Sequence, residues 1–176
     1  MIPLRFEPVL AELRPLGEIF SKANFRLYVV GGTVRDLLLD RATEALDFDL
    51  TTDATPQEIK NLLAGWADAV WTAGERFGTI SCQKNGRTYE ITTHRAEAYS
   101  PDSRKPDVEF STDITTDLSR RDFTINAMAL ELTTENPVLV DPFGGATDLV
   151  SRVLRDRKST RLNSSHTDIS RMPSSA

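Results

Sequence analysis

Apolar residues recur three or four positions apart at Leu10, Leu13, Leu16, Ile19 and Phe20, which is the spacing of a single helical face. The segment 8–24 is therefore expected to form an amphipathic helix in spite of Pro15. The period then shortens. "FRLYVV" (25–30) is a continuous apolar run and reads as a buried strand, "TVRDLLLD" (33–40) as a short helix with Thr33 at its N-cap, and "LDFDLTT" (46–52) as a second strand. In "TPQEIKNLLAGW", Thr55, Pro56 and Glu58 give the start signature of another helix, a capping residue followed by proline and by an acid three positions on. "GTISCQKNGRTYEITT" sets Asn85 and Gly86 between two alternating segments, a hairpin signal. Residues 96–110, with Pro101, Pro106 and clustered charge, read as a mobile loop, and a helix is expected around "TTDLSRRDFTINAMAL" (115–130). Together these elements predict an α+β chain (mixed α/β) without internal repeats, in which a small mixed or antiparallel sheet packs against helices.

Composition narrows the class. With 39% hydrophobic and 27% charged residues, the 176-residue chain suits one globular core. No apolar run approaches the roughly 20 residues of a membrane helix, and "MIPLRFEPVLAEL" lacks the flanks of a signal peptide, so a cytoplasmic location is expected. Cys82, alone of its kind, excludes an internal disulfide, and with only His94 and His166 beside it no zinc cluster is expected. Cys82 reads as a buried strand residue, Trp66 and Trp71 as core, and His94 as a packing or hydrogen-bonding residue.

Composition also changes abruptly at Asp156. The stretch "DRKSTRLNSSHTDISRMPSSA" has six serines, no aromatic residue and no periodicity. It resembles the translation of a sequencing-library adapter, and the expectation is a non-native tail over 156–176 with the natural chain continuing beyond Arg155. Setting aside its four basic and two acidic residues takes the net charge from −5 to −7.

The candidate chemistry lies in "LDFDLTT". Residues two apart in a strand share a face, so Asp47 and Asp49 are neighbours while Leu46, Phe48 and Leu50 turn to the core. Two adjacent carboxylates raise each other's pKa unless something compensates. A wetted sheet face is one solution; a hard divalent cation such as Mg²⁺, which takes one or two protein carboxylates and completes its shell with water and phosphate, is the other. The preceding "VVGGTVRD" favours the second. Gly31 and Gly32 let a ligand approach the backbone, the following turn offers N–H groups to an anion, and Arg35 can fork onto phosphate oxygens or pair with Asp36. Glu90 in "YEITT" is the candidate third acid. Arg120 and Arg121, ahead of Phe123, Ile125, Met128 and Leu130, form a basic edge backed by core, or else a solvated pair bonded to Asp117 and Asp122.

Seven segments in order, "YVVGGTVRDLLL", "LDFDLTTDATP", "GERFGTI", "YEITTHRAEAY", "SRKPDVEF", "DLSRRDFTINAMAL" and "LVDPFGGATDL", resemble the head and early neck of class II, bacterial-type CCA-adding enzymes. These are tRNA nucleotidyltransferases of the polymerase-β-like superfamily, and the likeness spans about residues 25–155. The resemblance implies a nucleotidyltransferase head over 1–140, the start of a neck over 141–155, and Asp47 and Asp49 as the residues that hold the catalytic Mg²⁺, to which the reading of the strands adds Glu90 as the third catalytic acid. It implies further that Gly31, Gly32 and Arg35 meet the triphosphate, that Arg121 reaches the nucleotide, and that Asp122 and Asn126 shape its ribose side. The implied partners are CTP, ATP and the tRNA 3′ end. An acidic chain is an unusual RNA ligand, since Lys and Arg normally neutralise the phosphates; in the resembled family most tRNA contacts lie beyond the head. Poly(A) polymerase, a CC- or A-adding specialist, and a non-catalytic nucleotide-binding fragment are the alternatives.

Overall fold

The computed structural model describes residues 3–41, 47–98, 107–156 and 169–171. Seven strands form the central sheet in the order β3-β4-β5-β2-β1-β8-β9. Their bounds are β1 Leu27–Val30, β2 Asp47–Thr52, β3 Ala69–Trp71, β4 Thr79–Lys84, β5 Arg87–Thr93, β8 Ala129–Glu131 and β9 Leu139–Val140. Only β2 and β5 run parallel; the other pairs are antiparallel. The sheet is mixed as expected, though larger than a small one.

The two faces differ. Helix α1 (Glu7–Lys22) lays Val9, Leu10, Leu13, Leu16 and Phe20 on one face, and α2 (Gly32–Leu38) and α3 (Pro56–Leu63) add Val34, Leu37, Ile59 and Leu63. From the sheet they meet Val29, Phe48, Leu50, Ile80, Cys82, Tyr89 and Ile91. Pro15 sits inside α1, and the apolar stripe on either side of it keeps the helix docked. A smaller cluster covers part of the other face: Tyr28, Val30 and Ala129 pack with Leu118 of α4 (Ile114–Ser119) and with Ala127. Strand β1 is consequently buried on both faces, whereas β2 alternates at its start, with Asp47 and Asp49 exposed and Phe48 and Leu50 buried.

Local rules hold where they are strong. The Thr55–Glu58 capping box forms with both hydrogen bonds, and Asn85 and Gly86 take positive φ of 51° and 80° in the hairpin turn, as a two-residue primed turn requires. Four expectations need correction. Thr33 is not an N-cap: Gly31 occupies that position and Thr33 lies buried within α2, because the glycine's φ of 74° turns the chain two residues earlier. The segment 115–130 is not one helix. Helix α4 stops at Ser119, a 3₁₀ turn spans Thr124–Asn126, and Ala129 to Glu131 join the sheet beside β1. Its apolar residues satisfy two different cores rather than one stripe. Residues Arg95–Ala98 and Asp107–Phe110 pair as β6 and β7 instead of belonging to a loop; 99–106 fall outside the described residues. Trp66 does pack on the core, but Trp71 is 48% exposed on edge strand β3. Further along the chain, α5 (Gly145–Val150) precedes β10 (Val153–Arg155), and Ile169–Arg171 pairs with β10 as β11, a backbone ladder that needs no side-chain period.

Candidate active site

The sheet register assembles the acids. Asp49 lies beside Glu90 in the parallel β2–β5 pair, and Asp47 beside Thr88; all three carboxylates are exposed on the face opposite the α1 core. On the other side of β2, the register Val29 to Leu50 brings the end of β1, and so Gly31, next to the carboxylates. A β-carbon built on Gly31 would stand 3.9 Å from Asp49 Oδ2 and 4.0 Å from Arg121 Nη1. The backbone there has φ 74° and ψ −137°, a conformation essentially restricted to glycine.

Arg35 rises from α2 and is held by two partners: its Nε donates to Asp36 Oδ1 at 3.3 Å and its Nη1 to Asn126 Oδ1 at 3.2 Å. Pairing with Asp36 and orientation toward the site are thus compatible. Gly31, Gly32, Arg35, Arg120, Arg121, Asp122 and Asn126 line an open, mostly polar cavity of about 510 Å³, so all six residues expected around the nucleotide border one space. A second cavity, of about 340 Å³ between α1 and the residues after β8, shares none of them.

Asp117 organises the basic edge. Its carboxylate is 2% exposed, accepts from the Arg95 backbone N–H at 2.9 Å and from Arg121 Nη2 at 3.3 Å, and lies 4.0 Å from Arg120 Nε. The sequence had offered Asp117 as a plain partner of the arginine pair; the fold makes it the buried anchor of three. Arg95 was missed. It lies two residues past the strand bearing Glu90, donates through Nη2 to Thr79 Oγ1 at 2.9 Å, and has its pKa lowered by burial and by Arg120. The available signal was an arginine adjoining a carboxylate strand.

Burial pushes the Asp49 carboxyl above its ordinary pKa; Arg121 and Arg95 oppose the shift, while Glu90 and Asp117 add to it. The carboxylate reaches water but is flanked by protein that solvates it poorly, and the arginines do not fully compensate. Such a group gains from a cation. Among the described residues no three His, Cys, Asp or Glu groups close around one point, so an all-protein cage is absent. The hard, two-carboxylate donor set instead fits an ion that keeps water or phosphate in its remaining positions.

His94 takes a supporting place on this face. The single Thr51 hydroxyl proton is donated to the Thr92 carbonyl at 2.9 Å, so the 2.8 Å contact with His94 Nδ1 must be donated by the imidazole, fixing a neutral ring protonated at Nδ1. Burial lowers the His94 pKa below 6.5, against the raising effects of Asp117, Asp53 and Asp113. A base held below its unfolded value contributes stability that is full above about pH 6.5 and drains as the pH falls, until the folded ring itself protonates. The denaturant midpoint is therefore expected to fall from pH 7 to pH 5.5 more steeply than in His94→Asn, whose amide can still donate to Thr51; parallel curves would contradict this.

The site thus sets carboxylates on a mixed sheet beside a glycine bend and an arginine-lined cavity. Residues 27–155 match the family described as Poly A polymerase head domain, and the chain belongs to that family. By sequence it is 43% identical over 148 residues to the CCA-adding enzyme of Lactobacillus helveticus, which covers 84% of this chain and 35% of the relative. Among solved structures it resembles the Bacillus stearothermophilus CCA-adding enzyme in complex with CTP, with a TM-score of 0.69, 30% identity, and coverage of 88% of this chain and 34% of that one. It also resembles the Thermotoga maritima CCA-adding enzyme complexed with tRNA-CCA, with a TM-score of 0.67, 33% identity, and coverage of 85% and 33%. The chain spans about a third of the length of these relatives. Their family generally uses divalent metals, and among the described residues no helix is long and apolar enough to cross a membrane.

Proposed function

We propose that the chain is the catalytic head of a cytoplasmic, Mg²⁺-dependent tRNA nucleotidyltransferase that adds CMP and AMP from CTP and ATP to the tRNA 3′ end. The observation that carries this reading is the approach of Gly31 to both the Asp49 carboxylate and the Arg121 guanidinium. Oxygen ligands for a cation and donors for phosphates meet where no side chain obstructs the backbone. The relatives named for CCA addition, and those solved with CTP or tRNA, support the choice of substrate.

In this reading Gly31 and Gly32 admit the triphosphate against the backbone, while Arg35 and Arg121 neutralise it. Asn126 holds the Arg35 guanidinium in position, and Asp117 does the same for Arg121. Asp122 and Asn126 border the ribose side. Asp47 and Asp49 would hold Mg²⁺, with Glu90 beside them as the third acid; bound there, divalent ions supply charge stabilisation for the attacking and leaving oxygens of an in-line displacement. The tRNA 3′-hydroxyl attacks the α-phosphorus, the bond to the bridging oxygen breaks, and pyrophosphate leaves. Little covalent chemistry falls to the protein, whose contribution is position and charge.

The head alone is expected to bind CTP and ATP only with Mg²⁺ present and with little preference between them, and not to complete CCA on tRNA lacking its 3′ end. Calorimetric titration with and without a chelator tests the first point, and gel analysis of tRNA products the second. Metal-independent binding would remove the cation from the site, and efficient CCA completion would show that the head needs nothing further.

A further inference from the structure

The registers of β3, β4, β5 and β2 align Trp71 with Ser81, Ser81 with Glu90, and Glu90 with Asp49. Residues directly opposed on neighbouring strands share a face, so Trp71 stands on the carboxylate face. Three strand spacings separate it from Asp49, about 14 Å at roughly 4.8 Å each. The half of this face over β1 and β8 is covered by the Leu118 cluster. At the other end Trp71 is 48% exposed, and Asp49 and Glu90 between them are exposed as well. A large indole left in water at the end of a polar row does not fill a core.

The direction of the reaction says what crosses this row. Gly31 and Arg121 lie on the β1 side of Asp49 and Glu90 on the β5 side. In-line displacement places the attacking oxygen opposite the departing pyrophosphate. With the triphosphate on the β1 side, the acceptor's 3′ end comes from the β5 side, and the strand behind it leaves over β5, β4 and β3. Among the described residues this row offers two acids, a serine and a tryptophan; the Arg95 guanidinium on the same face is tied to Thr79 of β4, so the contact offered to the strand at the β3 edge is the exposed Trp71 indole. Its means is stacking. It tolerates any base, because every base presents a π-face, which suits an acceptor whose terminal residues change as nucleotides are added.

We infer that Trp71 is a stacking platform for a base of the acceptor strand a few nucleotides behind the reacting 3′-hydroxyl. Stacked nucleotides rise about 3.4 Å each, so the span to Trp71 covers about four of them and fewer where the strand is splayed. This inference rests on the transferase reading above.

The test uses the chain carrying Trp66→Phe, which retains an aromatic ring against Tyr89 and leaves Trp71 as the single indole. Titration with a short single-stranded RNA bearing a free 3′-hydroxyl, with Mg²⁺, should quench the Trp71 emission. In the unsubstituted background Trp71→Ala should weaken RNA binding about tenfold, the size of one base–aromatic stack, while Trp71→Phe retains most of it and CTP affinity is the same in all three. RNA binding that leaves the emission unchanged, or that is equally tight in Trp71→Ala, overturns the inference. So does emission that responds to protein dilution but not to RNA, which would give this edge to a second copy of the chain. Failure of the unsubstituted chain to bind CTP with Mg²⁺ would strike the transferase reading first, by a separate measurement.

Discussion

Asp49→Asn is expected to abolish nucleotidyl transfer in a chain that carries the rest of the enzyme, by at least ~10³-fold, and at the same time to raise the melting temperature of the metal-free protein. The first effect follows from the several kcal/mol that a bound cation contributes to transition-state charge stabilisation, converted at about 1.4 kcal/mol per decade. The second follows from the sign of the pKa shift. Burial, with Glu90 and Asp117, holds the Asp49 carboxyl above its ordinary value of 3.8. An acid raised on folding contributes stability that is full below the unfolded value and is lost as the pH rises through the folded one. At neutral pH the ionised group is therefore a net cost, and a neutral isostere removes it. Mg²⁺ should raise the melting temperature of the unsubstituted chain and leave that of Asp49→Asn where it is. Equal stabilisation of both by Mg²⁺, or retained transfer in the variant, would place the cation elsewhere.

The second large effect is expected at Gly145, outside the carboxylate site. A β-carbon there would run into the Thr124 carbonyl group and stand 3.0 Å from Met128 Cγ. The neighbours cannot yield easily. Thr124 opens the 3₁₀ turn and donates to Asp148 Oδ2 at 2.6 Å, while the Gly145 and Ala146 N–H groups are held by Asp141 at 2.7 and 2.9 Å. Gly145→Ala should cost about 3 kcal/mol, at the upper end for overpacking into fixed backbone, read as a drop in the urea midpoint. Because the displaced turn also carries Asn126, the partner of Arg35, CTP affinity should fall about tenfold in whatever fraction stays folded. Gly144→Ala is the comparison: nothing lies within 4 Å of its added carbon, but its φ is 74°, so it should lose only about 1 kcal/mol of backbone strain and keep its CTP affinity. A Gly145→Ala protein as stable as Gly144→Ala would refute the packing argument.

Much of the site was legible because its signals are local. The Asp47 and Asp49 alternation, the Gly31 bend and the Thr55 capping box each depend on residues within a few positions, and each formed as the spacing requires. The failures came where partners lie far apart in the chain. "TTDLSRRDFTINAMAL" has helical spacing over part of its length, yet its end pairs with β1 about a hundred residues earlier, and that ladder outweighs helix propensity. Trp71 seemed suited to a core, but β3 lies at the edge of the sheet, where one face of the indole finds no neighbour to bury it. Arg95 drew no notice because nothing near it in sequence marks it; Asp117 and Thr79, which hold it, are 22 and 16 positions away.

By itself the sequence determined which side chains could do chemistry and which face of each element they occupy, since a two-residue strand period and a glycine-restricted bend are properties of the backbone within a few residues. Only the tertiary structure decided which of those faces meet. The parallel pairing of β2 with β5 set Glu90 beside Asp49, and the buried Asp117 holds Arg120 and Arg121 at one cavity. Those choices depend on long-range packing against a shared core, whose free energy belongs to the whole chain and is written in no single segment of it.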